Sequence, residues 1–171
     1  MQAPPIVKIC GLSTAPTLDA ALAAGADMVG FVFFGPSPRN VTPALASQLA
    51  RRVNGRAKKV ALTVDADDAT LDAILAALEP DILQLHGRET PARTAEIRAR
   101  AGLPIMKALG VSTADDLAAV AVYEPIADWL PFDAKPPKEA TRPGGNAFSF
   151  AWATPAASRT REPWLMSGGP A

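Results

Sequence analysis

The sequence predicts an α/β fold built on a parallel sheet, of the (β/α)8 barrel kind but short of eight full units. Three observations predict it. Short apolar or β-branched runs alternate with amphipathic segments about every 25–30 residues, the size of one βα unit. Alternation in this order gives parallel strands joined by crossover helices, in an open doubly wound sheet or a closed barrel. The first strand-to-helix turn has no Gly-x-Gly-x-x-Gly, so a dinucleotide-binding open sheet lacks support. Seven runs suggest a barrel that is not complete. A closed barrel takes about 250 residues and rarely fewer than about 200, against 171 here.

The elements follow in order. Ile6–Ile9 is β-branched and reads as the first strand, with Cys10-Gly11 at its C-terminal tip. Residues 14–24 carry Ala15, Leu18 and Leu22 at helical spacing, and Gly25 stops that helix. Met28–Phe34 is almost continuously apolar, as a strand buried on both faces must be. Gly35-Pro36-Ser37-Pro38-Arg39 is a loop. Thr42 before Pro43 is an N-cap followed by proline at the first helical position, opening a helix to Val53.

Lys59–Val64 is the third strand, and Asp67 or Asp68 caps a helix through Leu78. Asp81–Leu85 is the fourth strand, with His86-Gly87 at its tip. Thr90-Pro91 opens a helix to Arg100, and Gly102 ends it. Pro104–Ala108 is the fifth strand. Ser112 or Thr113 caps a helix through Val122. Asp128–Phe132 is the sixth strand, with Asp133 at its tip. A long loop rich in Lys, Pro and Gly runs to Gly145, and loops of this length are usually functional or disordered. Phe148–Trp152 is at most a short helix. Pro163–Met166 is the seventh strand, followed by Ser167-Gly168-Gly169.

Composition narrows the function. Seventeen basic residues balance seventeen acidic ones, so neither nucleic acid nor a membrane surface is favoured as a partner. Hydrophobic residues make up 49%, which supports a packed core over disorder. The lone cysteine forms no internal disulfide and no thiolate zinc site, which fits a reducing cytoplasm. No signal peptide is read at the N-terminus, and no apolar run reaches the roughly 20 residues of a bilayer span.

The strand tips hold the candidate chemistry. A lone cysteine is usually a small buried hydrophobe. Cys10 departs from that by lying between Lys8 and Gly11 at a strand tip. As a general base it must be a thiolate, and a free thiol titrates near 8.5, so it needs a neighbouring cation or dipole. Asp133, after Trp129-Leu130-Pro131-Phe132, is a helix cap, a solvated residue or a general acid. Arg39 is set in a stiff Gly-Pro-Ser-Pro loop, which suits a bidentate clamp on a carboxylate or phosphate. Gly144-Gly145, Gly168-Gly169 and His86-Gly87 are candidate anion sites, because backbone N–H groups in Gly-rich turns cradle phosphate. Barrels often bind phosphate after strands seven and eight, which favours Gly168 and Gly169. A metal role for His86 has no histidine partner.

Taken together, Lys8-Ile-Cys-Gly-Leu12, Gly30-Phe-Val-Phe33, Ser37-Pro-Arg-Asn-Val41, Gln84-Leu-His-Gly87, Lys107-Ala108, Phe132-Asp133, Pro143-Gly-Gly-Asn146 through Trp152, and Ser167-Gly-Gly169 resemble the phosphoribosylanthranilate isomerase family of tryptophan biosynthesis. The pieces occur in the family's order and cover essentially the whole chain. The resemblance implies a TIM barrel and an Amadori rearrangement of N-(5-phosphoribosyl)anthranilate to 1-(2-carboxyphenylamino)-1-deoxyribulose 5-phosphate. It implies no metal or organic cofactor, a small phosphorylated substrate, and a monomer or homodimer. It matches Asp133 to the general acid, Cys10 to the general base and Arg39 to the anchor of the anthranilate carboxylate. Gly144, Gly145, Gly168 and Gly169 match Gly-rich segments at the mouth.

The chain departs from the family's pattern in two places. Ala147 and Ala151 stand where the family commonly has Gly and Asp. The family also continues past the seventh-strand Gly-Gly with a helix, an eighth strand, a phosphate loop and a last helix, so residues 1–171 read as one barrel domain lacking that part. Two alternatives stay open. One is another sugar-phosphate isomerase or epimerase; the other is an inactive or partner-dependent barrel fragment.

Overall fold

A computed structural model describes residues 5–111, 113–134 and 164–166. It divides into two compact units, residues 1–83 and 84–171.

In the first unit, β1 (Lys8–Cys10), β2 (Met28–Phe33), β3 (Lys58–Thr63) and the start of β4 (Ile82–Leu85) follow one another in sheet order. β1 pairs with β2 and β2 with β3, all parallel. Every residue of β2 is buried, as its unbroken apolar run requires. Helices α1 (Ala15–Ala23), α2 (Pro43–Val53) and α3 (Asp68–Leu78) bury Leu18, Leu49, Leu71, Ile74 and Leu78.

Local chemistry sets the helix starts. Thr42 Oγ1 accepts from Leu45 N at 3.2 Å, and Asp67 Oδ1 from Thr70 N at 2.8 Å. In the second unit Thr90 Oγ1 accepts from Arg93 N at 3.2 Å and opens α4 (Pro91–Ala101). Each such cap is worth about 1 kcal/mol. Asn54 and Gly102 take the left-handed conformation at the ends of α2 and α4, which closes a helix C-terminus.

The second unit holds the end of β4, then β5 (Ile105–Lys107), β6 (Leu109–Val111), a 3-10 turn (Ala114–Leu117), α5 (Ala118–Tyr123), β7 (Leu130–Ala134) and β8 (Trp164–Met166). β6 pairs with β7 and β7 with β8, both parallel. Leu109, Val111, Val120, Ala127, Leu130 and Phe132 form its apolar core.

Several boundaries differ from the sequence reading, among them that of β1, which starts at Lys8 rather than Ile6 and takes in Cys10. The fifth strand is Ile105–Lys107, and a further strand follows directly after Ala108. Ala108 donates to Leu85 O, and the chain runs on as β6, where Leu109 faces Phe132 and Val111 faces Ala134. A buried strand can change neighbours in this way without leaving its backbone groups unpaired. The helix after Thr113 begins as a 3-10 turn, with Thr113 N donating to Asp116 Oδ2 at 3.0 Å. Asp133 lies inside β7, opposite Gly110, rather than beyond the strand. The long loop after residue 134, Phe148–Trp152 and Ser112 lie outside the described residues.

One device recurs that the sequence reading missed. Asp27, Asp81 and Asp128 each stand just before or at a strand start. Each donates its own N–H to the preceding strand and accepts that strand's N–H on its carboxylate. The partners are Val7, Lys59 and Ile105, and all three carboxylate contacts are 2.8 Å. A charged acceptor makes such a bond stronger than a neutral one, so the pairs pin strand register at the end opposite the candidate chemistry.

Candidate functional site

One group of candidate residues lies in the first unit. Cys10 ends β1 opposite Gly30, and the N–H groups of Gly11 and Leu12 both donate to Gly30 O, at 2.9 and 3.1 Å. The thiol is half-buried. It lies over Gly30 so closely that a Cβ there would meet Sγ at 2.8 Å. Glycine at 30 is therefore what gives the thiol its place. Gly11 has φ +82°, and a Cβ on it would meet Arg39 Cδ at 2.5 Å.

Arg39 is thereby laid across Gly11, and its Nη1 donates to Cys10 O at 3.4 Å. The turn that delivers it is fixed by Phe34 N donating to Asn40 Oδ1 at 2.8 Å and Arg39 N donating to Ser37 Oγ at 3.2 Å. A guanidinium keeps its charge at any working pH, so a permanent cation stands beside the cysteine backbone.

A second group lies in the second unit. Asp133 is buried, and its Oδ2 is 3.2 Å from His86 Nε2. The contact lies outside hydrogen-bond directionality, so its pull is mainly electrostatic. His86 Nδ1 is 3.2 Å from Gln84 Nε2. Below His86, Lys107 and Glu89 form an ion pair of 2.8 Å with side chains only 3% and 2% exposed. The pair holds Gly87 from both sides: Lys107 Nζ donates to Gly87 O at 2.7 Å, and Gly87 N donates to Glu89 Oε2 at 3.0 Å. Tyr123 donates its hydroxyl to Glu89 O at 2.9 Å and lies 5.6 Å under the Lys107 ammonium, within cation–π range. Burial, then the Glu89 carboxylate, push the Tyr123 phenol above its ordinary value of 10.0.

The structure thus brings Cys10 together with Arg39, and Asp133 with His86. Gly144, Gly145, Gly168 and Gly169 lie outside the described residues, as do Ala147 and Ala151. Sequence reasoning missed the Lys107–Glu89 pair. Its signal was a lysine ending the apolar run Ile105-Met106, because a lysine buried in a strand needs a partner. It also left His86 as a backbone anion site, where the structure places its ring against Asp133. Among the described residues no cluster of three or more metal-ligating side chains occurs. Among them, too, no helix is long and apolar enough to cross a membrane.

Comparison with known proteins gives a consistent answer. The family described as N-(5'phosphoribosyl)anthranilate (PRA) isomerase matches residues 7–169. An N-(5'-phosphoribosyl)anthranilate isomerase of Nitrobacter hamburgensis is 59% identical over 164 residues, covering 96% of this chain and 73% of that protein. The crystal structure of the Thermotoga maritima phosphoribosyl anthranilate isomerase superposes with a TM-score of 0.84 at 27% identity, covering 96% of this chain and 77% of that one. A crystal structure of the isomerase in complex with reduced 1-(o-carboxyphenylamino)-1-deoxyribulose 5-phosphate matches with a TM-score of 0.80 at 25% identity, over 96% of this chain and 76% of that one. Those neighbours carry the (β/α)8 reading of the parallel α/β fold. The chain belongs to the N-(5'-phosphoribosyl)anthranilate isomerase family.

Proposed function

We infer that this chain catalyses the family's isomerisation, converting N-(5-phosphoribosyl)anthranilate to 1-(2-carboxyphenylamino)-1-deoxyribulose 5-phosphate in tryptophan biosynthesis. The observation that carries it is the family match across residues 7–169, with relatives of that name at 59% identity. The same continuous match supports taking residues 1–171 as one barrel domain. The single cysteine supports a cytoplasmic setting. A monomer or homodimer is proposed for the assembly, to be read by sedimentation.

The residue roles are proposed as follows. Asp133, as the carboxylic acid, gives its proton to the furanose ring oxygen. The C1′–O bond breaks and the anilino nitrogen's lone pair makes the C1′=N bond of a Schiff base. Cys10, as thiolate, takes the proton from C2′, and those electrons form the C1′=C2′ enolamine. Tautomerisation adds a proton at C1′ and gives the ketone at C2′. One carbon is reduced and its neighbour oxidised, so no external oxidant enters.

Arg39 is proposed to hold the anthranilate carboxylate, and Gly168 and Gly169, with Gly144 and Gly145, the phosphate. Anchoring both ends of the substrate is a large part of such catalysis, because it removes the entropy of alignment. The placement of a permanent cation by Gly11 and of a thiol by Gly30 supports the first part of this reading. The burial of the Asp133 carboxylate supports its role as the acid.

Anthranilate fluorescence followed on the purified chain, with the product consumed enzymatically, tests it. Cys10→Ala and Asp133→Asn should each lower kcat by about 10²–10⁴-fold, the range of a general acid or base, with substrate binding nearly intact. A variant that keeps most of its kcat sinks that residue's role.

A further inference from the structure

We propose that His86 is a positioning residue for Asp133: it donates toward Oδ2 from Nε2 and so reserves Oδ1 as the oxygen that carries the acid proton. The inference rests on the reading of Asp133 as the general acid.

The argument begins at the far side of the ring. Gln84 presents Nε2 to His86 Nδ1 at 3.2 Å. An amide nitrogen only donates, so with the Gln84 amide in this orientation Nδ1 carries the lone pair and the imidazole proton sits on Nε2. That nitrogen is 3.2 Å from Asp133 Oδ2, and the two side chains are 12% and 8% exposed. With little water to compete, a donor at Oδ2 favours the acid proton on the other oxygen. After the proton has left, the same N–H stabilises the carboxylate. The ring approaches Oδ2 off the hydrogen-bond axis, so its hold on the carboxylate is mainly electrostatic.

The backbone after His86 is also held more firmly than a passive loop requires. Gly87 has its N–H on Glu89 and its carbonyl on Lys107, at 3.0 and 2.7 Å. Both charges of that clamp are buried. Gln84, His86 and the Gly87 clamp thus fix the ring at its edge and at its backbone, and the ring in turn faces the carboxylate.

The test uses the full chain and two readouts. His86 is the only histidine, so a ¹⁵N-imidazole spectrum reports one ring without assignment. It should show the Nε2–H tautomer at neutral pH in the resting protein, whether or not turnover is seen. An Nδ1–H tautomer would overturn the proposal, because it needs the Gln84 amide reversed and leaves no proton facing Asp133.

In steady-state assays His86→Ala should lower kcat about ten- to a hundredfold, the effect of one hydrogen bond to a charged group, with KM unchanged. His86→Gln keeps an N–H donor and should recover part of the loss; a merely structural histidine would show no such recovery at matched thermal stability. Full kcat in His86→Ala, beside an inactive Asp133→Asn, overturns the positioning role and leaves the acid assignment standing. Turnover surviving in Asp133→Asn overturns the acid assignment, and the positioning role with it.

Discussion

The two groups of candidate residues, one in each unit, are held in place by opposite means. Around Cys10 the device is space. Gly30 has no Cβ where the thiol lies, and Gly11 has none where Arg39 crosses. Around Asp133 the device is charge. Lys107 and Glu89 are buried as a pair, Gly87 is bonded to both, and His86 stands against the carboxylate. A thiol needs a particular position and a solvent-facing side, and removing a methyl group's worth of neighbour supplies both. A carboxylate in a dry surround is costly unless polar or charged groups are buried beside it. Buried partners raise the stake, since each left alone is more costly than a missing methyl.

That contrast can be broken from either side. Lys107→Met should have the largest effect on stability, because it strips the cation from a carboxylate that is 2% exposed. Breaking such a pair costs about 3–5 kcal/mol, and replacing both partners by apolar residues costs less. Urea melts of Lys107→Met and of the double variant with Glu89→Leu check it. A loss in the single variant no larger than in the double would mean that the pair is not the support described.

On the other side, Gly30→Ala should cost about 1–3 kcal/mol, the usual penalty for forcing an extra methyl into a packed place. It should also move the thiol, since Sγ would stand 2.8 Å from the new Cβ. The rate of reaction with a neutral thiol reagent reads that movement directly. An unchanged rate, with unchanged stability, would show that the close approach does not hold in solution.

The smallest expected effect sharpens the charged side. Tyr123 is the only tyrosine, so tyrosinate absorbance follows it alone. Burial and Glu89 raise its folded value above 10.0. A raised folded value means that its contribution to stability is present below the unfolded value near 10 and is lost as pH rises through the folded one. The titration should therefore lie above that of the unfolded chain. A coincident curve would argue against Tyr123 lying beside Glu89.

The strands and caps were legible from sequence because their signals are local. Thr42, Asp67 and Thr90 each cap a helix three residues ahead, and the apolar run of β2 is read without reference to anything else. Cys10, Arg39 and Asp133 stand out in the sequence only as candidates, by their place at or near the ends of apolar runs. The continuation through Ala108 into β6 was not legible, because Leu109-Gly110-Val111 is too short to separate strand from turn until β7 pairs with it.

What the chain's sequence by itself determined is the alternation of strand and helix, the capped starts of α2, α3 and α4 and the residue types at the strand tips. What only the tertiary structure decided is which distant residue each of those meets. Asp27, Asp81 and Asp128 bond strands 20, 22 and 23 residues away, and Lys107 meets Glu89 across 18. Gly30 makes room for a thiol on the neighbouring strand. Periodicity and capping act over one helical turn or one strand pleat. Register between strands depends on how the packed faces fit, and that is settled only when the core forms.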